Sequence, residues 1–106
     1  MPGPAKCTFS GCERLAAASL ELHPFCPEHF ILTCYSELEE CSRWLEGVRS
    51  SYTTAESVEK FLTECIHANK ELFKQVAGLS DPQQARILFI KMWVRDLQHR
   101  MNAKPR

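Results

Sequence analysis

The chain has no long apolar run: no stretch of eighteen or more apolar residues occurs, so no transmembrane helix is expected. The opening Met1-Pro2-Gly3-Pro4-Ala5 lacks a basic region followed by an apolar segment. No secretory signal is therefore expected, and the expected location is cytoplasmic. Net charge is also missing, because 13 Lys+Arg balance 13 Asp+Glu. That balance argues against a general nucleic-acid binder. Glycine is scarce, at 4 residues, and no Gly-rich phosphate loop is present. No Ser/His/Asp or Cys/His catalytic set assembles, so neither an enzyme nor a small-molecule substrate is expected. There is no internal repeat and no low-complexity segment.

What remains is a chain of 106 residues, for which one domain spanning residues 1–106 is the natural expectation. A chain of this size buries a modest core and keeps a thin stability margin, so a metal staple or a partner subunit would help it. The charge is unevenly laid out. Residues 1–53 hold four basic and seven acidic residues, and residues 54–106 hold nine and six. The plain reading is solvated helix faces. Six cysteines without a secretion signal point to a reducing compartment, where thiols bind metals or pack as small hydrophobes. Cys34, Cys41 and Cys65 fall on helical apolar stripes and read as core. Cys7, Cys12 and Cys26 lie in the irregular N-terminal part.

Those three cysteines carry the chemistry. Cys7-Thr8-Phe9-Ser10-Gly11-Cys12 is a C-x4-C pair on a tight turn, and Cys26-Pro27-Glu28-His29 is a C-x2-H pair where a helix begins. Zinc takes four soft or borderline ligands in a tetrahedron. Residues three apart on a helix share a face, so Cys26 and His29 can address one ion. A helix N-terminus also favours a thiolate. Cys7, Cys12, Cys26 and His29 are therefore the expected metal ligands, with His23 as a rival for the fourth place and Cys34 as a weaker one. Four protein ligands close the shell, so the expected ion is a structural Zn2+. Glu28 beside the site does not reproduce the H-x-E…P-C-x-x-C order of zinc deaminases. Over about residues 7–40 the order of knuckle, short hairpin and ligand-bearing helix resembles the treble-clef group of zinc fingers. The resemblance implies a small zinc knuckle over residues 7–29. The C-x4-C pair is wider than the usual C-x2-C knuckle.

The segment Arg14 to Phe25 alternates at Leu20 and Leu22 and must return the chain to the metal, so two short strands are expected there. Residues 1–6 read as a loose Pro/Gly-rich tail. After His29 the pattern is helical. The first helix is expected from about Pro27 to Val48, with Ile31, Cys34, Leu38, Cys41, Leu45 and Val48 as a heptad seam, Phe30 and Trp44 flanking it, and Glu39 paired to Arg43 outside. The second opens on a Thr53/Glu56 capping box and runs to about Ala77, stopped by Gly78. Its inward positions are Val58, Leu62, Cys65, Asn69, Leu72 and Val76, broadened by Phe61, Ile66, Ala68 and Phe73. Asn69 sits either in the core or just off it. The third helix opens on a Ser80 cap with Pro82 and runs to about Met101. Ile87, Leu88, Phe89, Ile90, Met92, Trp93 and Val94 make it apolar on nearly every side, which calls for two neighbours or another chain.

The expected fold is mainly α: a small N-terminal treble-clef-like zinc knuckle, then an antiparallel three-helix bundle over residues 27–101. The expected function is a non-enzymatic, zinc-stabilised protein–protein interaction module, self-associating as a dimer or adaptor-like. The alternative is a small zinc-containing nucleic-acid-binding regulator, suggested by the basic residues of the C-terminal segment.

Overall fold

The computed structural model describes residues 5–103. Two short strands, β1 (Ala18–Leu20) and β2 (His23–Phe25), precede three helices: α1 (Pro27–Leu45), α2 (Ala55–Phe73) and α3 (Asp81–Ala103). A 3₁₀ turn, Val76–Gly78, lies between α2 and α3. The architecture is mainly helical with one small sheet. No helix among the described residues is long and apolar enough to cross a membrane.

The strands pair antiparallel, Ala18 with Phe25 and Leu20 with His23. Two residues, Glu21 and Leu22, make the turn, and both have positive φ (51° and 69°). That is the backbone of a type I′ hairpin, usually occupied by Asn and Gly. The expected alternation therefore fails at its second member: Leu20 is buried, but Leu22 is at the tip and 96% exposed. Glu64 of α2 holds the tip by accepting from the Glu21 N–H at 2.8 Å.

Residues Ala5 and Lys6 are not loose. Lys6 bridges Leu15, and Ala16 donates its N–H to the Ala5 carbonyl. Residues 1–4 of the expected tail, and residues 104–106 at the other end, lie outside the described residues.

Helix α1 starts as its sequence dictates, with Pro27 in the first turn and Glu28 against the dipole. It stops at Leu45, three residues before the expected Val48. Gly47 has φ +76°, Gly47 N–H reaches the Trp44 carbonyl, and Val48 N–H reaches the Arg43 carbonyl. These are the two bonds of a Schellman motif, which satisfies carbonyls that the helix end would leave orphaned. Val48 is consequently out of the seam and half exposed. Arg43 does not pair with Glu39. Its Nε donates to the Arg49 carbonyl and lies 3.8 Å from Glu40.

The cap of α2 is Thr54, not Thr53: Thr54 Oγ1 accepts from Ser57 N–H, and Glu56 does not close the box. The helix ends at Phe73, short of Ala77. The chain then turns through Val76–Gly78, and Leu79 is buried instead of Val76. The Gln84 side chain donates to the Val76 and Leu79 carbonyls, so a group from α3 satisfies the irregular segment. The Ser80 capping box forms as expected, with Gln83 N–H donating to Ser80 Oγ and Ser80 N–H to Gln83 Oε1.

The core is one cluster. Phe30, Ile31, Cys34, Leu38, Cys41 and Leu45 from α1 meet Val58, Phe61, Leu62, Cys65, Ala68 and Leu72 from α2, and Ile87, Ile90, Val94, Leu97 and Met101 from α3. Helix α3 packs on both α1 and α2, while β1 packs chiefly on α2. Asn69 is in the core, 2% exposed, and its Nδ2 donates to the Ile87 carbonyl of α3 at 3.0 Å. Only part of α3's apolar surface is used. Leu88, Phe89 and Met92 are at least half exposed.

Candidate metal centre

Four ligand atoms converge where the N-terminal turn meets the start of α1. The Sγ atoms of Cys7, Cys12 and Cys26 and a ring nitrogen of His29 all lie within 4.8 Å of one another. His29 Nδ1 is 3.4 Å from both Cys7 Sγ and Cys26 Sγ, and Cys12 Sγ is 3.9 Å from Cys26 Sγ. Zinc bonds of about 2.3 Å to sulfur and 2.0–2.1 Å to nitrogen give tetrahedral edges of about 3.8 Å (S–S) and 3.5 Å (S–N). The observed separations match those edges. Cys7, Cys12, Cys26 and His29 are positioned to bind a metal ion, and the set is consistent with zinc.

The backbone explains why the two pairs meet. Cys12 N–H donates to the Phe9 carbonyl, and Gly11 takes φ +80°, a conformation that suits glycine. This turn folds the four intervening residues out of the way, so the C-x4-C spacing still brings both sulfurs together. Cys7 N–H donates to the Arg14 carbonyl, and Thr8 donates both its N–H and its hydroxyl to the Pro24 carbonyl. The turn is thereby clamped to β2, whose chain runs directly on to Cys26. Cys26 is also the N-cap of α1, with its Sγ accepting from His29 N–H at 3.5 Å. One sulfur is thus placed both to cap the helix and to meet a metal ion.

The thiols differ in electrostatics. Burial pushes the Cys7 thiol up, but backbone hydrogen bonds from Cys26 and Phe9, with the His29 and Cys12 side chains, outweigh it and bring Cys7 down to about 6. Burial raises Cys26, even though the His29 backbone lowers it. Of these two thiols, Cys7 is the one held towards the charged form.

The two rivals are elsewhere. His23 lies on β2 outside the ligand group, and Cys34 is fully buried in the core with its Sγ 3.5 Å from that of Cys65. Burial pushes Cys34 far up, and pushes Cys41 up to about 12, so both behave as apolar packing groups. Two contacts were not anticipated. The Phe9 ring stacks on His29 with centroids 4.0 Å apart and planes 9° from parallel, covering the imidazole. An aromatic between two ligand cysteines was the available signal. Gln83 Nε2 approaches Glu28 Oε2 at 3.5 Å and links the start of α3 to the first turn of α1. No long-range pairing of this kind is legible in sequence. No protein-family model, curated protein or solved structure matches this chain, so its function is argued from its own residues.

Proposed function

We propose that the chain is a non-enzymatic, zinc-stabilised helical interaction module that self-associates. In this reading the N-terminal segment is a treble-clef-like knuckle, the three helices form an antiparallel bundle, and the whole is one domain. The zinc is structural, since three thiolates and one imidazole leave no position for water or substrate. The ion fixes the N-terminal turn to the start of α1.

One observation carries the interaction reading. Leu88, Phe89 and Met92 on α3 lie exposed, and Phe89 touches Tyr35 of α1, with Leu32 one turn earlier on that helix and also half exposed. Trp93 joins the same aromatic group at 5.6 Å from Phe89, anchored by donation from its Nε1 to Ser42 Oγ. A contiguous apolar surface of this kind, rich in aromatic side chains and Met, has the composition of interface centres. A second copy is the occupant this reading favours. A two-fold axis would set each apolar face on its equal. It would also bring exposed Arg86 and Arg95 of α3 towards the acidic α1, with its exposed Glu39, of the partner.

Light scattering on the zinc-loaded protein at two concentrations tests this. A mass that rises towards twice the chain mass, and returns to the monomer in Phe89→Ser/Met92→Ser, is expected. A strict monomer at high micromolar concentration would contradict self-association.

A further inference from the structure

Phe9 touches three of the four candidate ligand residues, each through a different group. Its N–H bonds the Cys7 sulfur, and its carbonyl accepts from the Cys12 N–H. Its ring lies flat on the His29 imidazole, with centroids 4.0 Å apart and planes 9° from parallel. The two backbone bonds are open to any residue at this point of the turn, whereas the stack needs an aromatic side chain. The ring is not a core packing group either. Phe9 is 47% exposed and lies outside the apolar cluster built by the helices.

His29 is the ligand that most needs holding. Its Nδ1 stands 3.4 Å from both Cys7 Sγ and Cys26 Sγ, so Nδ1 is the nitrogen placed to meet an ion and Nε2 is left to carry the proton. A ligand histidine ordinarily donates that second N–H to a carboxylate or a carbonyl, which fixes the plane of its ring. Among the described residues no group accepts from His29 Nε2. The sulfurs are better restrained: Cys26 Sγ caps α1, and backbone bonds of the N-terminal turn hold Cys7 and Cys12. The imidazole is free to turn about its Cβ–Cγ bond unless something bears on its face. A parallel ring 4.0 Å away bears on it, because any large turn drives the imidazole edge into Phe9. An imidazole that donates to a cation also becomes electron-poor, which strengthens its attraction to the negative face of the Phe9 ring.

On the zinc-binding reading above, we propose that Phe9 is the positioning residue of the metal centre. Its ring holds the His29 imidazole in the ligating orientation, in place of the usual hydrogen bond to Nε2. The three sulfurs select a thiophilic ion, and Phe9 sets how tightly the fourth ligand closes and how slowly zinc is released.

The test measures zinc affinity and zinc release on the full chain, by competition with a coloured chelator, for the wild type, Phe9→Ala, Phe9→Leu and Phe9→Tyr. Phe9→Ala keeps both backbone bonds. It should bind zinc roughly tenfold more weakly and release it roughly tenfold faster, the lower end for loss of a group that orients a metal ligand. Phe9→Leu keeps apolar bulk without a flat face and should behave like Phe9→Ala. Phe9→Tyr keeps the face and should stay within about twofold of the wild type. Nitrogen NMR of the zinc-loaded chains adds a readout that a mere loss of stability does not move. The wild type and Phe9→Tyr should show His29 bound through Nδ1 with the proton on Nε2, and Phe9→Ala should show exchange between bound and free imidazole. Equal affinity and release in the wild type and Phe9→Ala, or wild-type behaviour in Phe9→Leu, would overturn the proposal and leave the zinc reading standing. A wild type that takes up no zinc would overturn both. If Phe9→Ala does not fold, the comparison of Phe9→Leu with Phe9→Tyr decides the matter.

Discussion

The six cysteines divide by environment. Cys7, Cys12 and Cys26 meet at the metal centre, whereas Cys34, Cys41 and Cys65 are fully buried among the helices. Thiolates are the reactive form, and burial raises Cys34 and Cys41, the latter to about 12. Alkylation with iodoacetamide should therefore leave all six unlabelled in the zinc-loaded protein. Chelation should expose only Cys7, Cys12 and Cys26 to the reagent, and denaturant the remaining three, as read by mass spectrometry of peptides. Labelling of Cys41 in the native state would show that the core reading is wrong. This division was legible in the sequence, because metal-type spacing and helical spacing are different patterns. The state of Asn69 was not, since its hydrogen-bond partner is the Ile87 carbonyl on another helix. Phe9 was missed for the same reason, its contact being with His29 at a distance of twenty residues along the chain.

At the level of elements, the helices were readable and their ends were less so. Thr53 and Thr54 each have a polar residue three positions on, so the cap is ambiguous by one residue until Ser57 is seen to bond Thr54. Thr54→Ala should lose about 1 kcal/mol in urea unfolding, and Thr53→Ala very little. The heptad spacing carried α1 on to Val48, but Gly47 ends the helix through its positive φ. No atom crowds an added Cβ at Gly47, so Gly47→Ala should lose only the conformational penalty, about 1 kcal/mol. The hairpin tip offers the converse. Leu22 holds φ 69° while almost wholly exposed, so Leu22→Gly should raise stability by up to about 1 kcal/mol. A loss of stability in Leu22→Gly would mean that the leucine side chain has a packing role at the tip.

The whole molecule is extended rather than round, measuring 48 × 25 × 22 Å with a radius of gyration of 14.5 Å. A compact chain of this length would have about 13 Å. The greater spread leaves a large surface for a small core, which gives both a metal staple and a covered apolar face physical value. A bound ion would tie residues 7–26 to α1, and Thr8 and Ala17 bond to β2, which pairs with β1 on α2. Its loss should unfix the N-terminal third first, while the helical core, built of residues from all three helices, keeps most of its helicity. Circular dichroism before and after chelation should thus show a small helical change with a larger fall in urea midpoint. Cys7, Cys12, Cys26 and His29 are expected to bind one zinc ion. The most direct measurement is metal content per chain for the purified protein and for Cys26→Ser. About one zinc per chain is expected in the first and a near-complete loss in the second. A fully folded wild-type protein without zinc, or a Cys26→Ser variant that keeps it, would contradict the account.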